Sequence, residues 1–179
     1  MILFIIFVIL LLILVNAFYV AAEFAAVSVR RNMIREMAEG GSKVAVHLLK
    51  ILENTRELDR YIAACQFGIT ISSLILGAYG QVQLSSYLLP LFERFGGMDS
   101  VMAASVSALV VLVGLTVFQV ILGELMPKSL ALQFPRQAAL YTYYPMRWTL
   151  TFFAWFIDFL NGSGLLLLKL FRLPPGGHQ

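Results

Sequence analysis

The chain has 179 residues, 60% of them hydrophobic and 13% charged, and a net charge of +3. A mean hydropathy of +0.84 excludes an ordinary soluble globular domain and places the chain among membrane proteins. The single cysteine, Cys65, excludes a disulfide framework and a cysteine-based zinc site; in its apolar segment it reads as a small packing residue.

Residues 2–29 form the first apolar run, long enough to cross a hydrocarbon core of ~30 Å. The run is too long for a cleavable signal peptide and lacks a basic start, so it predicts a retained helix. Asn16 and Glu23 lie two turns apart on one face of it. Ala17, Ala21 and Ala25 recur at every fourth position, a spacing that lets helices pack closely in a membrane. Glu23 either pairs with an arginine near the cytoplasmic end or faces an ion pathway.

Residues 30–60 hold seven of the thirteen basic residues, namely Arg30, Arg31, Arg35, Lys43, Lys50, Arg56 and Arg60. This is the Lys/Arg excess of a cytoplasmic loop. The stretch has no Phe, Tyr or Trp, which excludes the mixed basic and stacking surface of a nucleic-acid site. Met33, Ile34, Met37 and Ala38, then Val44, Leu48, Ile51 and Leu52, fall at near-helical spacing. They predict two amphipathic helices broken at Gly40-Gly41, of the kind that lie at a membrane interface.

Residues 61–79 predict the second span. Gln66, Thr70, Ser73 and Gly77 share one stripe, with Ser72 beside it. The stripe is either a helix-helix hydrogen-bonding surface or an oxygen-rich wall. Residues 80–100 contain Pro90, Gly96, Gly97 and Asp99, with Arg94 the sole basic residue, and predict an external connection.

Residues 101–122 predict the third span. Thr116, Gln119 and Gly123 share a face that leads into Glu124. A carboxylate at membrane depth is costly and marks a candidate functional site. Pro127 has no N–H to offer the carbonyl four residues back, so it frees the Gly123 carbonyl beside that carboxylate. A carboxylate next to carbonyl and hydroxyl oxygens suits a hard cation. The candidate ligands are Glu124, Gly123, Asn16, Ser72, Ser73 and Thr70. Glu23, Gln66 and Lys128 are candidates for a supporting role or a sodium position, and Pro127 is the helix break.

Residues 138–171 form a fourth apolar region, interrupted by Pro145 and by Asn161-Gly162-Ser163-Gly164. Lys128 and Arg136 precede it, and Lys169 and Arg172 end it, so both ends belong on the cytoplasmic face. The expected segment therefore enters the membrane and returns near Asn161-Gly162; four complete spans are the alternative. Asp158 and Asn161 read as capping residues at a helix end, and Tyr141, Tyr143, Tyr144, Trp148 and Trp155 as an interfacial belt.

The expected fold class is thus an all-α integral membrane domain. It has three transmembrane helices, a re-entrant or interfacial helical segment and amphipathic cytoplasmic helices, with an external N-terminus and a cytoplasmic C-terminus. Residues 1–173 form the transmembrane domain. Residues 174–179 form a tail, read as a cut before a soluble domain. Ser163 lacks an activating base, because His47 and His178 lie outside the apolar segments, and no phosphate-binding GxxxxGK[ST] loop is present. Enzymatic activity is therefore not expected.

Three motifs carry a family resemblance across nearly the whole chain. They are Asn16-Ala17-Phe18-Tyr19-Val20-Ala21-Ala22-Glu23-Phe24, Cys65-Gln66-Phe67-Gly68-Ile69-Thr70 and Leu122-Gly123-Glu124-Leu125-Met126-Pro127-Lys128. In this order they resemble the transmembrane domain of the cyclin M / CorC magnesium transporters, in the bacterial CorC branch. The resemblance implies a homodimer in the bacterial inner membrane that exports Mg²⁺ in exchange for Na⁺. It also implies cytoplasmic cystathionine-β-synthase-type (CBS) modules in the full-length protein. A Mg²⁺-sensing membrane anchor without transport is the rival reading.

Overall fold

The computed structural model describes residues 1–171, so Arg172 and the 174–179 tail lie outside the described residues. Every regular element among the described residues is helical. In chain order these are α1 (Ile2–Ser28), α2 (Arg31–Glu39), α3 (Lys43–Glu53), α4 (Thr55–Gly96) and α5 (Ser100–Phe118). A π-helical turn (Gln119–Leu125) follows, then α6 (Met126–Gln133), α7 (Pro135–Phe152) and α8 (Ala154–Leu170). Three stretches, Ile2–Ser28, Thr55–Arg94 and Ser100–Gln133, are long and apolar enough to cross a membrane. This is an all-α multi-pass membrane domain.

Two boundaries differ from expectation. Residues 80–96 are not a connection but the continuation of α4, a helix of 42 residues that passes through Pro90. Pro90 and Ser86 are both exposed, so the carbonyl that the proline leaves unpaired is not trapped in a dry core. The fourth region does not return at Asn161-Gly162, which lies inside α8. It bends by 81° at Phe153, between α7 and α8.

The chain divides into two compact units. The first comprises Met1–Phe18 and Gly68–Pro127. In it, Ile5, Ile9 and Ile13 repeat every four residues along α1 and pack with Leu76 of α4 and with Val111 and Leu115 of α5. α5 buries Ala103, Ser107, Val111 and Leu115 at the same interval, the signature of one helix face turned inward. Gly80 allows α4 close to α5: a Cβ there would stand 2.5 Å from Leu115 Cδ1.

The second unit comprises Tyr19–Phe67 and the chain from Lys128 onward. The expected break at Gly40-Gly41 is present. Gly41 adopts φ +91°, which an L side chain rarely tolerates, and Ser42 N–H donates to the Met37 carbonyl at 3.1 Å. Ser42 Oγ then caps α3 by accepting from Ala45 N–H. The Arg35 guanidinium donates to Glu53 at 2.5 Å, and that bond raises its pKa above the ordinary arginine value. Cys65 is fully buried against Met146, with the sulfurs 3.8 Å apart, as its packing role requires.

The corner at Phe153 has no glycine or proline within it. Aromatic rings pack at it, with the Phe67 ring 5.1 Å from Phe153 and 4.9 Å from Phe156. Asp158 is not a cap; it lies within α8 and pairs with Arg60 Nε at 3.0 Å.

Candidate cation site

In the first unit the apolar layer gives way, one turn further along each helix, to a polar one. On α1 the buried series Ile5, Ile9, Ile13 continues into Asn16, which is 0% exposed. On α4, Leu76 gives way to Ser72 and Ser73, and beyond Leu115 the chain reaches Gln119 and Gly123. A buried amide in an apolar helix is tolerated only when its hydrogen bonds are made.

Asn16 makes them. Its Nδ2 donates to the Gly123 carbonyl at 2.9 Å. Its Oδ1 accepts from Ser72 Oγ and from Ser73 Oγ, each at 3.0 Å. Ser73 Oγ in turn accepts from Gln119 Nε2 at 2.5 Å. The donors therefore run in one direction, from Gln119 through Ser73 and Asn16 to Gly123. That chain starts and ends within the π-helical turn, and such chains polarise and strengthen one another.

The network is rich in acceptors. Ser72 Oγ has one proton but three acceptors in range: Asn16 Oδ1, the Gly68 carbonyl at 2.7 Å and the Ile69 carbonyl at 3.0 Å.

The π-helical turn is the local answer to Pro127. Met126 N–H bonds the Ile121 carbonyl, five residues back, so the ladder widens ahead of the proline. Gly123, the residue four before Pro127, is buried, and its carbonyl is met by the side chain of Asn16. The sequence expects this carbonyl to be released from the helix; the structure supplies an amide donor to it. A side chain at 123 would crowd Asn16, because a Cβ would stand 3.0 Å from Asn16 Nδ2. Glu124 follows directly, half-buried, with no ion-pair partner among the described residues.

Asn16, Ser72, Ser73 and Gly123 are thus brought together. Thr70 is not on their buried side: it is exposed. The buried series on α4 in this unit is Gly68, Ser72, Leu76 and Gly80, rotated by one residue from the polar stripe that the sequence suggests. Thr116 is likewise exposed and bonds its own helix at the Leu112 carbonyl. Gln119 belongs to the network but was not a candidate ligand; its four-residue step to Gly123 was the signal.

In the second unit, Glu23 is half-buried and accepts from Gln66 Nε2 at 3.4 Å. Among the described residues it has no arginine partner. The Lys128 ammonium sits over the Phe24 ring, 4.5 Å from its centroid. Among the described residues no three His, Cys, Asp or Glu side chains cluster, so any cation here meets mainly neutral oxygens.

The family model of the cyclin M transmembrane N-terminal domain matches residues 6–179. The UPF0053 proteins YrkA and YhdT of Bacillus subtilis are 36% and 39% identical to the chain, over 94% of its length in each case. A more distant relative, the polyamine export protein of Haemophilus influenzae, is 25% identical over 90% of the chain. The chain spans only 38%, 36% and 36% of these three relatives respectively.

Proposed function

The chain belongs to the cyclin M transmembrane N-terminal domain family, and from that premise we propose that it is the membrane domain of a Mg²⁺ exporter coupled to Na⁺. The observation that carries the reading is the convergence of Asn16, Ser72, Ser73 and the Gly123 carbonyl, in the residue directly before the half-buried Glu124. Mg²⁺ prefers six oxygens at short distance and sheds water reluctantly. Carboxylate charge from Glu124 and neutral oxygens from the network would replace part of that water, and the remaining positions would keep theirs.

Entry of the ion has a specific cost in this geometry. A cation that approaches the Gly123 oxygen from the Asn16 side must displace the Asn16 N–H from it. Rotation of the Asn16 amide removes that donor and turns its oxygen toward the ion. The π-helical turn, whose ladder is already widened, is the element that changes shape. The Glu23–Gln66 pair is the proposed position for the coupling Na⁺. The protein works as a homodimer in the bacterial inner membrane, with the N-terminus outside and the basic α2–α3 hairpin cytoplasmic.

The test is Glu124→Gln in the purified, folded chain. Mg²⁺ affinity should fall by at least about tenfold, ~1.4 kcal/mol. Unchanged affinity removes Glu124 from the ion. In liposomes, Mg²⁺ flux that needs a Na⁺ gradient supports exchange. Flux without Na⁺ makes the domain a channel, and binding without flux makes it a sensing anchor. The Haemophilus influenzae relative favours one other cargo, a polyamine. Na⁺-driven spermidine flux that Mg²⁺ does not inhibit would establish that reading instead.

A further inference from the structure

Along α7 and α8, Tyr141, Tyr144, Trp148, Phe152, Trp155 and Phe159 recur at steps of three or four residues, and each is at least 55% exposed. Exposed aromatics of a membrane domain belong at the headgroup level. An aromatic belt alone does not account for the open cavity of about 920 Å³ on the same face, lined by Tyr144, Arg147, Trp148, Thr149, Phe152 and Phe153.

Arg147 is the charged group in that lining. It is exposed and has no ion-pair partner among the described residues. α7 contains two arginines and no acid. The wall behind it is held in place. Thr149 Oγ1 bonds Tyr19 Oη at 3.0 Å and the Pro145 carbonyl at 3.2 Å. A guanidinium fork without a carboxylate matches the two oxygens of a phosphate, and aromatic walls match the apolar part of a lipid.

We propose that this cavity binds the phosphate headgroup of an anionic phospholipid. Arg147 engages the phosphodiester, and the Trp148 and Phe152 rings flank the glycerol and upper acyl chains. A second copy of the chain is the poorer occupant, because a two-fold contact there would bring unpaired Arg147 side chains together. The inference goes beyond the transport reading and does not depend on it.

Trp148 and Trp155 are the two tryptophans of the chain, so its tryptophan fluorescence reports on this face alone. In Trp155→Phe the signal comes from Trp148. The full chain in nanodiscs is titrated with brominated phosphatidylglycerol or with brominated phosphatidylcholine over the same range of mole fraction. Phosphatidylglycerol should quench at about fivefold lower mole fraction, the worth of one arginine at an anionic surface. Arg147→Gln should abolish that preference. Arg136→Gln, which removes the other α7 arginine, should leave it in place.

Equal quenching by the two lipids in the Trp155→Phe protein overturns the proposal without any variant at 147. So does a preference that survives Arg147→Gln. Displacement of the lipid by soluble glycerol phosphate at matched concentration makes the ligand a free phosphate and overturns the lipid assignment. Loss of dimer in Trp148→Ala with Arg147-independent quenching assigns the face to a second copy.

Discussion

The Asn16 side chain hydrogen-bonds the Gly123 carbonyl across 107 residues of sequence, at 2.9 Å and in a fully buried position. This bond ties the first helix to the one place where the third span leaves α-helical geometry. It also closes the donor chain that begins at Gln119.

Asn16→Ala removes the donor to Gly123 and the shared acceptor of Ser72 and Ser73. A buried polar group left without its partner costs about 1–3 kcal/mol. Unfolding in detergent should show a loss of that size. Asn16→Asp should lose more, since a carboxylate faces the Gly123 carbonyl oxygen with no proton to share. If the ion reading holds, Mg²⁺ should raise the Asp variant's Tm by more than that of the unaltered protein. A Mg²⁺-induced shift no larger than that of the unaltered protein separates this network from the ion.

The apolar runs made α1 and the third span legible, and Gly40-Gly41 made the α2–α3 hairpin legible, because these are local signals. The extension of α4 past residue 80 was hidden by its falling hydropathy and by Pro90. The corner at Phe153 was hidden because long-range ring packing by Phe67, not a local breaker, accompanies it. At the site, Asn16, Ser72, Ser73 and Gly123 stood out as polar or small residues in apolar surroundings. Thr70 stood out equally and is exposed. In a membrane helix, periodicity of polar residues does not specify which face is buried, since lipid and protein are both apolar.

Gly123→Ala tests the close approach. The added methyl meets Asn16 Nδ2 at 3.0 Å and Ile13 Cγ2 at 3.7 Å, and Asn16 has no exposed side to retreat to. The expected loss is about 1–3 kcal/mol in detergent unfolding. Gly114→Ala is the matched control on α5, where a Cβ meets nothing within 4 Å. It should be neutral or gain up to ~1 kcal/mol from helix propensity. Equal effects at the two positions would mean that Asn16 yields easily.

Gly80→Ala tests the packing of α4 against α5. Here the obstructing atom is the tip of Leu115, 2.5 Å from the new Cβ, so the side chain must rotate within a core shared with Val111 and Leu76. Overpacking of this kind costs about 1–3 kcal/mol. Leu115→Ala alone opens a void. The double variant should therefore be more stable than the sum of the two single losses predicts, by at least ~0.5 kcal/mol. Simple additivity would place the contact elsewhere.

The Arg60–Asp158 pair joins the start of α4 to α8 within the second unit, with its side chains 30% and 60% exposed. Exposure on that scale limits a pair to about 0.2–1 kcal/mol. Arg60→Gln, Asp158→Asn and their double variant should give a coupling energy in that range at ~0.1 M salt. At ~1 M salt, where the screening length falls to about 3 Å, the coupling should fall toward zero. The Arg60 Nε atom is itself inaccessible to solvent and lies 3.0 Å from Asp158 Oδ1, so Asp158→Asn leaves this N–H facing a neutral amide. The Asp158 single variant should therefore lose more stability than the Arg60 single variant. A coupling that salt does not reduce would show that the carboxylate acts by packing at the α7–α8 corner rather than by charge.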